Sequence, residues 1–322
     1  MTNGIIIGVD GGGTKTVAAA MRADGTLLAF RTGDGINFNN IGMDRARGNL
    51  KCVVDALLSA CGEKEAALIG VGMSALDGES DAALTAAFAG DCFDPARILM
   101  NSDAHAALMS ATMGGAGMIV ICGTGSMILS VGKDGRQNVR GGWGYLLGDD
   151  LSSYTLAVDG MRRAIAAWEG TGGQTKLCAA LTRHFALTEP RDLIQKMYAL
   201  RSAPQDTACF AKTVLCLAHE GDAEAKSVVT ENIARLAALA RSAAGGDMPD
   251  TVWLYGGVFE HNAWVREEFK RLTANAQKQP DARLIPYSPS VGAAVYALDK
   301  RHLITAQTRK NIEKSYGKVW QE

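Results

Sequence analysis

The hydrophobic pattern of the first 115 residues predicts three strands followed by alternating helices and strands. Short apolar runs joined by glycine-rich turns predict strands at 5–10, 16–21 and 26–31. Apolar residues at helical spacing then predict a helix over 41–61. The later elements of this part are a strand at 68–73, a helix near 79–90, a strand at 97–100 and a helix over 103–113. This order is typical of a mixed α/β sheet.

The same three-strand design begins again after the glycine-rich segment 114–117. Apolar runs over 118–139 repeat the hairpins, and a mainly helical stretch follows over about 150–245. The last predicted elements are a strand at 251–255, a helix near 262–276, a strand at 283–285, a helix over 290–300 and a polar helix over 303–318. The repeat predicts an N-terminal lobe over 1–115 and a C-terminal lobe over 116–300. The segment 301–322 is a candidate to pack back on the first lobe, which the sequence alone does not settle.

Composition and charge narrow the possible partners and the compartment. Lys and Arg number 33 and Asp and Glu 34, without a concentrated basic patch, so we expect no nucleic-acid partner. No apolar stretch approaches the roughly 20 residues that span a bilayer, and the chain start does not resemble a signal peptide. The seven cysteines form no C-x-x-C pair, which favours reduced thiols over a disulfide framework or a metal site. We expect a cytoplasmic protein that does not bind membranes.

A glycine-rich segment, Gly8–Thr16, follows the first predicted strand. A P-loop and a dinucleotide-binding fingerprint both require a helix after the glycines, whereas this pattern continues as a strand. We interpret it as a hairpin loop whose backbone N–H groups and threonine hydroxyl approach the phosphates of a nucleotide. Asp10, at the strand end, is the candidate to hold Mg²⁺ through water. The candidate phosphate-binding residues are Gly11, Gly12, Gly13, Thr14 and Lys15.

A second loop of the same design follows the predicted strand at 118–121. In both copies an Asp-Gly pair, at 24–25 and at 134–135, comes ten residues after the loop threonine. The candidate phosphate-binding residues of this copy are Gly123, Thr124, Gly125 and Ser126. Two such loops predict a nucleotide held between two lobes.

Asp103 lies where a predicted strand ends and a predicted helix begins. Phosphoryl transfer to an alcohol needs a carboxylate that accepts the hydroxyl proton, and Asp103 is the candidate for this general base. An aspartate at this position could also serve only as a helix N-cap, and the sequence leaves both interpretations open.

The segment Gly141–Asp150 combines glycines, Trp143 and a carboxylate at Asp149. Carbohydrate sites use backbone amides and a carboxylate for the hydroxyl groups and an aromatic ring for the C–H faces. The segment is therefore a candidate sugar site, and a purely structural Trp corner is the alternative.

Taken together, these motifs resemble the N-acetylglucosamine kinase branch of the BadF/BadG/BcrA/BcrD ATPase family, within the actin–hexokinase–Hsp70 superfamily. The resemblance is carried by Gly8–Thr16, Asn37, Ser102-Asp103-Ala104, Gly123–Ser126, Gly141–Asp149, Gly256-Gly257-Val258 and Pro289–Gly292. It implies an α/β fold of two ribonuclease-H-like, actin-like ATPase lobes that close an interlobe cleft over ATP, Mg²⁺ and a sugar. It also implies a homodimer.

The resemblance assigns roles to individual residues. Asp103 would be the base for the 6-hydroxyl of N-acetylglucosamine or a related amino sugar, and Thr14 and Thr124 would bind phosphate. The implied sugar contacts are Asn37, Asp103, Gly142, Trp143, Gly144 and Asp149. The implied adenosine contacts are Gly256, Gly257 and Ala218.

Two departures from the family pattern lie close to the expected sugar contacts. Met127 stands where mammalian sugar kinases carry an asparagine that contacts the sugar, and methionine cannot donate that hydrogen bond. Asp150-Leu151 replaces the common Glu-Gly after the sugar-binding aspartate. Both departures concern the identity of the sugar more than the type of reaction. Two alternatives also stay open: an activator ATPase of an acyl-CoA dehydratase or reductase system, and a non-catalytic sugar or nucleotide sensor.

Overall fold

The computed structural model describes residues 4–200, 203–245, 247–274 and 278–320. The strands are β1 Ile5–Gly11, β2 Lys15–Arg22, β3 Leu27–Asp34, β4 Ala66–Met73, β5 Ile98–Ser102, β6 Gly117–Cys122, β7 Ser126–Val131, β8 Gln137–Gly141, β9 Thr251–Tyr255 and β10 Asp281–Leu284. The helices are α1 Phe38–Ile41, α2 Met43–Cys61, α3 Ala82–Ala89, α4 Asp103–Thr112, α5 Ser153–Trp168, α6 Leu177–His184, α7 Asp192–Ala199, α8 Pro204–Ala208, α9 Ala211–His219, α10 Ala223–Ala243, α11 Gly257–Glu260, α12 Ala263–Thr273, α13 Pro289–Asp299 and α14 Ala306–Val319.

The chain forms two compact units, residues 1–116 with 285–322, and residues 117–284. The sheet of the first unit has the order β3-β2-β1-β4-β5. Its first three strands pair antiparallel, while β4 and β5 continue parallel to β1. The second unit repeats this order as β8-β7-β6-β9-β10, with the same antiparallel and parallel pairings. The predicted α/β architecture of two related lobes is confirmed.

Helices cover both faces of the first sheet. On one face, α2 buries Leu50, Val53 and Leu57 in a core shared with β1 and β4. On the other face, α13 packs against β1, β4 and α4. Close packing of α13 depends on Gly292, because a Cβ there would lie 1.9 Å from the carbonyl oxygen of Ala106. The parallel strands are therefore buried on both sides, as their continuous apolar runs require.

The division into units differs from the predicted boundary at residue 300. The helix predicted over 290–300, α13, belongs to the first unit because its apolar residues pack against Ile6 and Leu68 of that sheet. The final helix, α14, lies on β3, where Tyr316 contacts the ring of Phe30. The first unit is thus assembled from both ends of the chain.

The predicted elements agree with the structure apart from local details. Gly42, with φ of +82°, separates α1 from α2, so the helix predicted over 41–61 begins at Met43. The helix predicted near 262–276 ends at Thr273, and residues 275–276 lie outside the described residues. No helix in the described ranges is long and apolar enough to cross a membrane.

Candidate functional site

The carboxyl ends of parallel strands in the first unit carry two acidic side chains. Asp10 is the penultimate residue of β1, and Asp103 begins α4 directly after β5. Gly72 of β4 lies in register between these strands. A Cβ at Gly72 would lie 2.4 Å from the Cβ of Ala106, so glycine allows α4 to approach the sheet. The strand order therefore brings the two aspartates to one sheet edge.

Burial changes the acidity of both aspartates. It raises the pKa of Asp10 to about 7, and the neighbouring Asp103 carboxylate adds to this shift. Burial also raises the pKa of Asp103, although the Ala104 N–H group acts in the opposite direction. A buried carboxylate beside a second carboxylate is favoured by a bound proton or a bound cation.

Asp103 is not the N-cap of α4. That role belongs to Ser102, whose Oγ accepts the His105 N–H at 3.2 Å. Among the described residues, the Asp103 carboxylate accepts hydrogen bonds from backbone N–H groups alone, that of Ala104 at 2.7 Å and its own. The capping alternative is therefore wrong, and the half-buried carboxylate keeps acceptor capacity for a ligand.

The first glycine loop is a four-residue hairpin turn, Gly12–Lys15, closed by a hydrogen bond from the Gly12 N–H to the Lys15 carbonyl at 3.0 Å. The N–H of Ile36 donates to the Gly12 carbonyl, and Gly35 passes so close that a Cβ would lie 2.4 Å from the Gly13 carbonyl oxygen. Thr14 and Lys15 at its tip are exposed. The loop is thus held from behind while its tip can reach a ligand.

Asn37 lies directly behind this loop and is buried. Its Oδ1 accepts the Asn39 N–H at 3.0 Å as the N-cap of α1, and its Nδ2 donates to Ser74 Oγ at 3.0 Å. The N–H of Ser74 in turn donates to the Gly11 carbonyl. The sequence analysis did not predict these contacts of Ser74, because the only sequence feature that marks this residue is its position directly after β4.

The second glycine loop, residues 123–125, is held by the first turn of α5. The N–H of Ser153 donates to the Gly123 carbonyl at 2.9 Å. Thr124 at the tip is exposed, like its counterpart in the first unit. Ser126 differs, because its buried hydroxyl donates to the Asp150 carbonyl at 2.7 Å. The Ser126 side chain is therefore committed to the fold. Its backbone N–H donates to the Asp149 carboxylate, so a phosphate contact by Ser126 stays a prediction.

Asp149 is the most unusual side chain of the second unit. It is only 6% exposed, its φ is +64°, and burial raises the pKa of its carboxyl. The backbone N–H groups of Ser126 and Gly144 oppose this rise. Its Oδ1 is buried without a hydrogen-bond partner among the described residues. A buried acceptor of this kind is costly unless a ligand donates to it.

The segment before Asp149 is open and rich in glycine. Gly142 and Gly144 have φ of +70° and +82°, and Trp143 between them is 76% exposed. Met127 lies beneath, with its Cβ 3.4 Å from where a Cβ of Gly142 would be. One segment of the second unit thus combines an exposed indole, two glycines with positive φ and a buried carboxylate.

A cavity of about 510 Å³ lies in the second unit between α9 and α11. Gly257 lines it, and Gly256 allows the chain to turn there, with φ of +100° and a position where a Cβ would lie 2.4 Å from the Cys122 carbonyl oxygen. Ala218 does not line this cavity and is buried in the core of α9. The residues of α9 that do line it are Ala211, Lys212, Leu215 and Cys216. The resemblance implied only Ala218 from that helix, so the sequence did not predict these four residues as cavity lining.

Any metal ion bound at Asp10 and Asp103 would have to be held mainly through water. In the parts of the chain that the structure describes, no three His, Cys, Asp or Glu side chains converge. Mg²⁺ usually keeps several waters and needs only one or two carboxylates. The paired Asp10 and Asp103, with pKa values raised by burial, fit this requirement because a cation would compensate their charge.

Comparisons with known proteins agree with these features. A model of the BadF/BadG/BcrA/BcrD ATPase family matches residues 7–297. The chain is 34% identical over 209 residues to the N-acetyl-D-glucosamine kinase of Dictyostelium discoideum, which covers 62% of this chain and 66% of that protein. It is 26% identical over 228 residues to the N-acetylmuramic acid/N-acetylglucosamine kinase of Clostridium acetobutylicum, covering 70% and 74%.

A solved structure shows the same likeness. A candidate N-acetylglucosamine kinase from Chromobacterium violaceum is 25% identical, with a TM-score of 0.74 over 92% of this chain and 99% of that one.

Proposed function

Because the chain belongs to the BadF/BadG/BcrA/BcrD ATPase family, we propose that it is an ATP-dependent kinase of the 6-hydroxyl of N-acetylglucosamine or a related amino sugar. The observation that carries the choice of a sugar acceptor is Asp149. Its buried Oδ1 lacks a partner among the described residues, and its carboxylate accepts the N–H of Gly144, the residue after the exposed Trp143. This combination suits a ligand with several hydroxyl groups. The kinase names of the curated relatives support the same choice.

The proposed chemistry assigns the proton to Asp103. The sugar 6-oxygen forms a bond to the γ-phosphorus, the bond from that phosphorus to the bridging oxygen breaks, and ADP leaves with the electron pair. The hydroxyl proton passes to the Asp103 carboxylate. Burial raises the pKa of Asp103 and so makes it a stronger base than an exposed aspartate.

The glycine loops supply the phosphate contacts in this proposal. Thr14 and Lys15 from the first unit and Thr124 from the second are exposed at the loop tips. Asp10 would hold Mg²⁺ through water, and the bound ion would neutralise charge on the phosphates. The cavity beside Gly257 is the proposed place of the adenosine. A homodimer stays a prediction that rests on the resemblance.

A coupled ADP-release assay over hexoses and amino sugars tests the proposal. We expect an amino sugar to stimulate ADP release well above the intrinsic ATPase rate. Asp103→Asn should then lower kcat by about 100-fold or more, the range for removal of a general base. The matched control is Asp91→Asn, a surface change in the same unit, which should leave kcat unchanged.

The other outcomes distinguish the alternatives. If no sugar stimulates ADP release, the kinase proposal fails. Tight sugar binding without turnover would indicate a sensor, and brown protein containing iron would indicate an activator ATPase. Full activity of Asp103→Asn would refute the base assignment alone.

A further inference from the structure

The turn that carries Asp149 is conformationally strained. Asp149 and Leu151 have φ of +64° and +63°, and neither is glycine. The left-handed region costs an L-residue roughly 1–2 kcal/mol, so such a conformation persists only where surrounding contacts fix it. Other residues must therefore hold this turn.

Hydrogen bonds within the turn and with neighbouring residues fix part of this conformation. The Asp149 carbonyl accepts the Ser152 N–H at 3.0 Å and the Thr155 hydroxyl at 2.8 Å. The Asp150 carbonyl accepts the Ser126 hydroxyl. These bonds fix the carbonyl groups and leave the Leu151 N–H and the Asp150 side chain to be held from elsewhere.

The remaining contacts come from Asn232, in the middle of α10. Asn232 is fully buried, which is uncommon for a polar residue on the apolar face of a helix. Its Oδ1 accepts the Leu151 N–H at 3.0 Å. Its Nδ2 donates to Asp159 Oδ2 and to the Val228 carbonyl, both at 3.0 Å. Both the oxygen and the nitrogen of its side-chain amide are thus used, and the oxygen bonds directly to the strained turn.

Arg235, one helical turn further along α10, adds ion pairs to the turn and to α5. Its Nε donates to Asp150 Oδ1 at 2.7 Å, and its Nη2 donates to Asp159 Oδ2 at 3.2 Å. Asp159 lies on α5, so one guanidinium links the turn, α5 and α10. Because Asn232 also bonds to Asp159, the two α10 residues and the turn form one connected polar network.

We propose that Asn232 and Arg235 are positioning residues that hold Asp149 in its strained turn, so that its buried Oδ1 faces a hydroxyl of the sugar. This inference rests on the proposed sugar site. Neither residue touches the sugar in this account; they act through Leu151 and Asp150. A carboxylate that is fixed in advance binds its ligand without first having to order the turn.

The second unit offers a matched control for Arg235. Arg163 of α5 also joins α5 to α10 by two ion pairs, at 3.4 Å to Glu224 and 2.8 Å to Glu231. Arg163 and Arg235 are similarly accessible, with side chains 38% and 45% exposed. Among the described residues, the ion pairs of Arg163 go to Glu224 and Glu231 and none goes to residues 149–151, so Arg163→Gln removes comparable ion pairs without touching the turn.

The test compares Arg235→Gln, Arg235→Lys and Arg163→Gln by kinetics and by hydrogen exchange. We expect Arg235→Gln to raise the KM for the sugar about tenfold or more, while the KM for ATP stays within about twofold of wild type. Amide exchange over residues 149–152 should become faster. Arg235→Lys should recover part of both effects, and Arg163→Gln should show neither.

Asn232→Leu tests the direct bond to Leu151 and should raise the KM for the sugar in the same way. If that buried change prevents folding, the Arg235 variants decide. Equal effects of Arg235→Gln and Arg163→Gln on the sugar KM would overturn the inference, as would faster exchange without a change in KM. If wild type shows no sugar-dependent turnover, the proposed function fails. Amide exchange over residues 149–152 then still tests whether Arg235 holds the turn. Unchanged exchange in Arg235→Gln would refute this role of Arg235 independently of the proposed function.

Discussion

At the scale of single residues, the fold keeps several carboxylates in places where ionisation is costly. Asp10, Asp103 and Asp149 all have pKa values raised chiefly by burial. Such shifts concentrate at functional positions, because groups arranged for a ligand are often poorly compensated without it. Each of these carboxylates should therefore lower the stability of the ligand-free protein while supporting its activity.

Asp149→Asn tests this trade directly. The change removes a buried charge, so the melting temperature should not fall, while the sugar loses its charged acceptor. We expect the KM for the sugar to rise by about tenfold to a hundredfold, the loss from one hydrogen bond to a charged group. Steady-state kinetics and a thermal melt measure both effects, with exposed Asp206→Asn as the control. An unchanged sugar KM would contradict the assignment of Asp149.

Asp10 should make stability depend on pH. Its folded-state pKa of about 7 exceeds the ordinary value of 3.8, so the folded protein binds more protons than the unfolded chain between these values. The free energy of unfolding contributed by this group therefore falls as pH rises through that window. Without Mg²⁺ or nucleotide, melting curves from pH 4 to pH 8 should show this loss, and Asp10→Asn should reduce it. The same slope in both proteins would show that Asp10 is not its source.

The hydrogen-bond partners of the hydroxyl groups could not be predicted from the sequence. The repeated glycine-threonine pattern identified the exposed Thr14 and Thr124. It did not show that the Thr16 hydroxyl donates to Asp34 or that the Ser126 hydroxyl donates to Asp150. Those acceptors are backbone carbonyls 18 and 24 residues away, which no local pattern identifies.

At the scale of elements, the packing of α13 depends on a small residue. A Cβ at Gly292 would lie 1.9 Å from the Ala106 carbonyl oxygen and 2.5 Å from the Ser110 nitrogen. Periodicity predicted this helix correctly but assigned it to the wrong side of the boundary. The partner of an apolar helix depends on which sheet it reaches in three dimensions, and α13 is buried almost all round.

Gly292→Ala should destabilise the first unit by about 1–3 kcal/mol, the usual cost of overpacking. The matched control is Gly317→Ala at an exposed position of α14, where an added Cβ meets no atom within 4 Å. That change should stabilise by up to about 1 kcal/mol through helix propensity. Chemical denaturation measures both, and equal effects of the two substitutions would refute the packing argument.

At the scale of the whole molecule, two units share one strand order, and both ends of the chain build the first unit. The repeated hairpin design predicted the duplication, because each copy has its own strand and turn signals. Segments far apart in sequence gave no signal of their meeting. The helix over 290–300 was therefore assigned to the second lobe, and packing of the segment 301–322 on the first lobe was only a candidate. The polar pattern of α14 shows a helix but not the sheet it covers.

Ending the chain after Thr305 should destabilise the edge of the first sheet. It removes the Ser315 hydroxyl that accepts the Leu27 N–H at 3.0 Å, and it exposes the ring of Phe30. Amide exchange in β3 should become faster, whereas exchange in β8, the corresponding strand of the second unit, should not change. Equal protection of β3 in the full and shortened chains would contradict this role of α14.

The most direct test of the central claim is the identity of the product. Wild-type protein is incubated with ATP, Mg²⁺ and N-acetylglucosamine, and the products are examined by ³¹P–¹H correlation NMR. We expect a new phosphate monoester whose phosphorus couples to the two protons on carbon 6 of the sugar, formed in proportion to ADP. ADP accompanied only by inorganic phosphate, for this sugar and for related amino sugars, would contradict it.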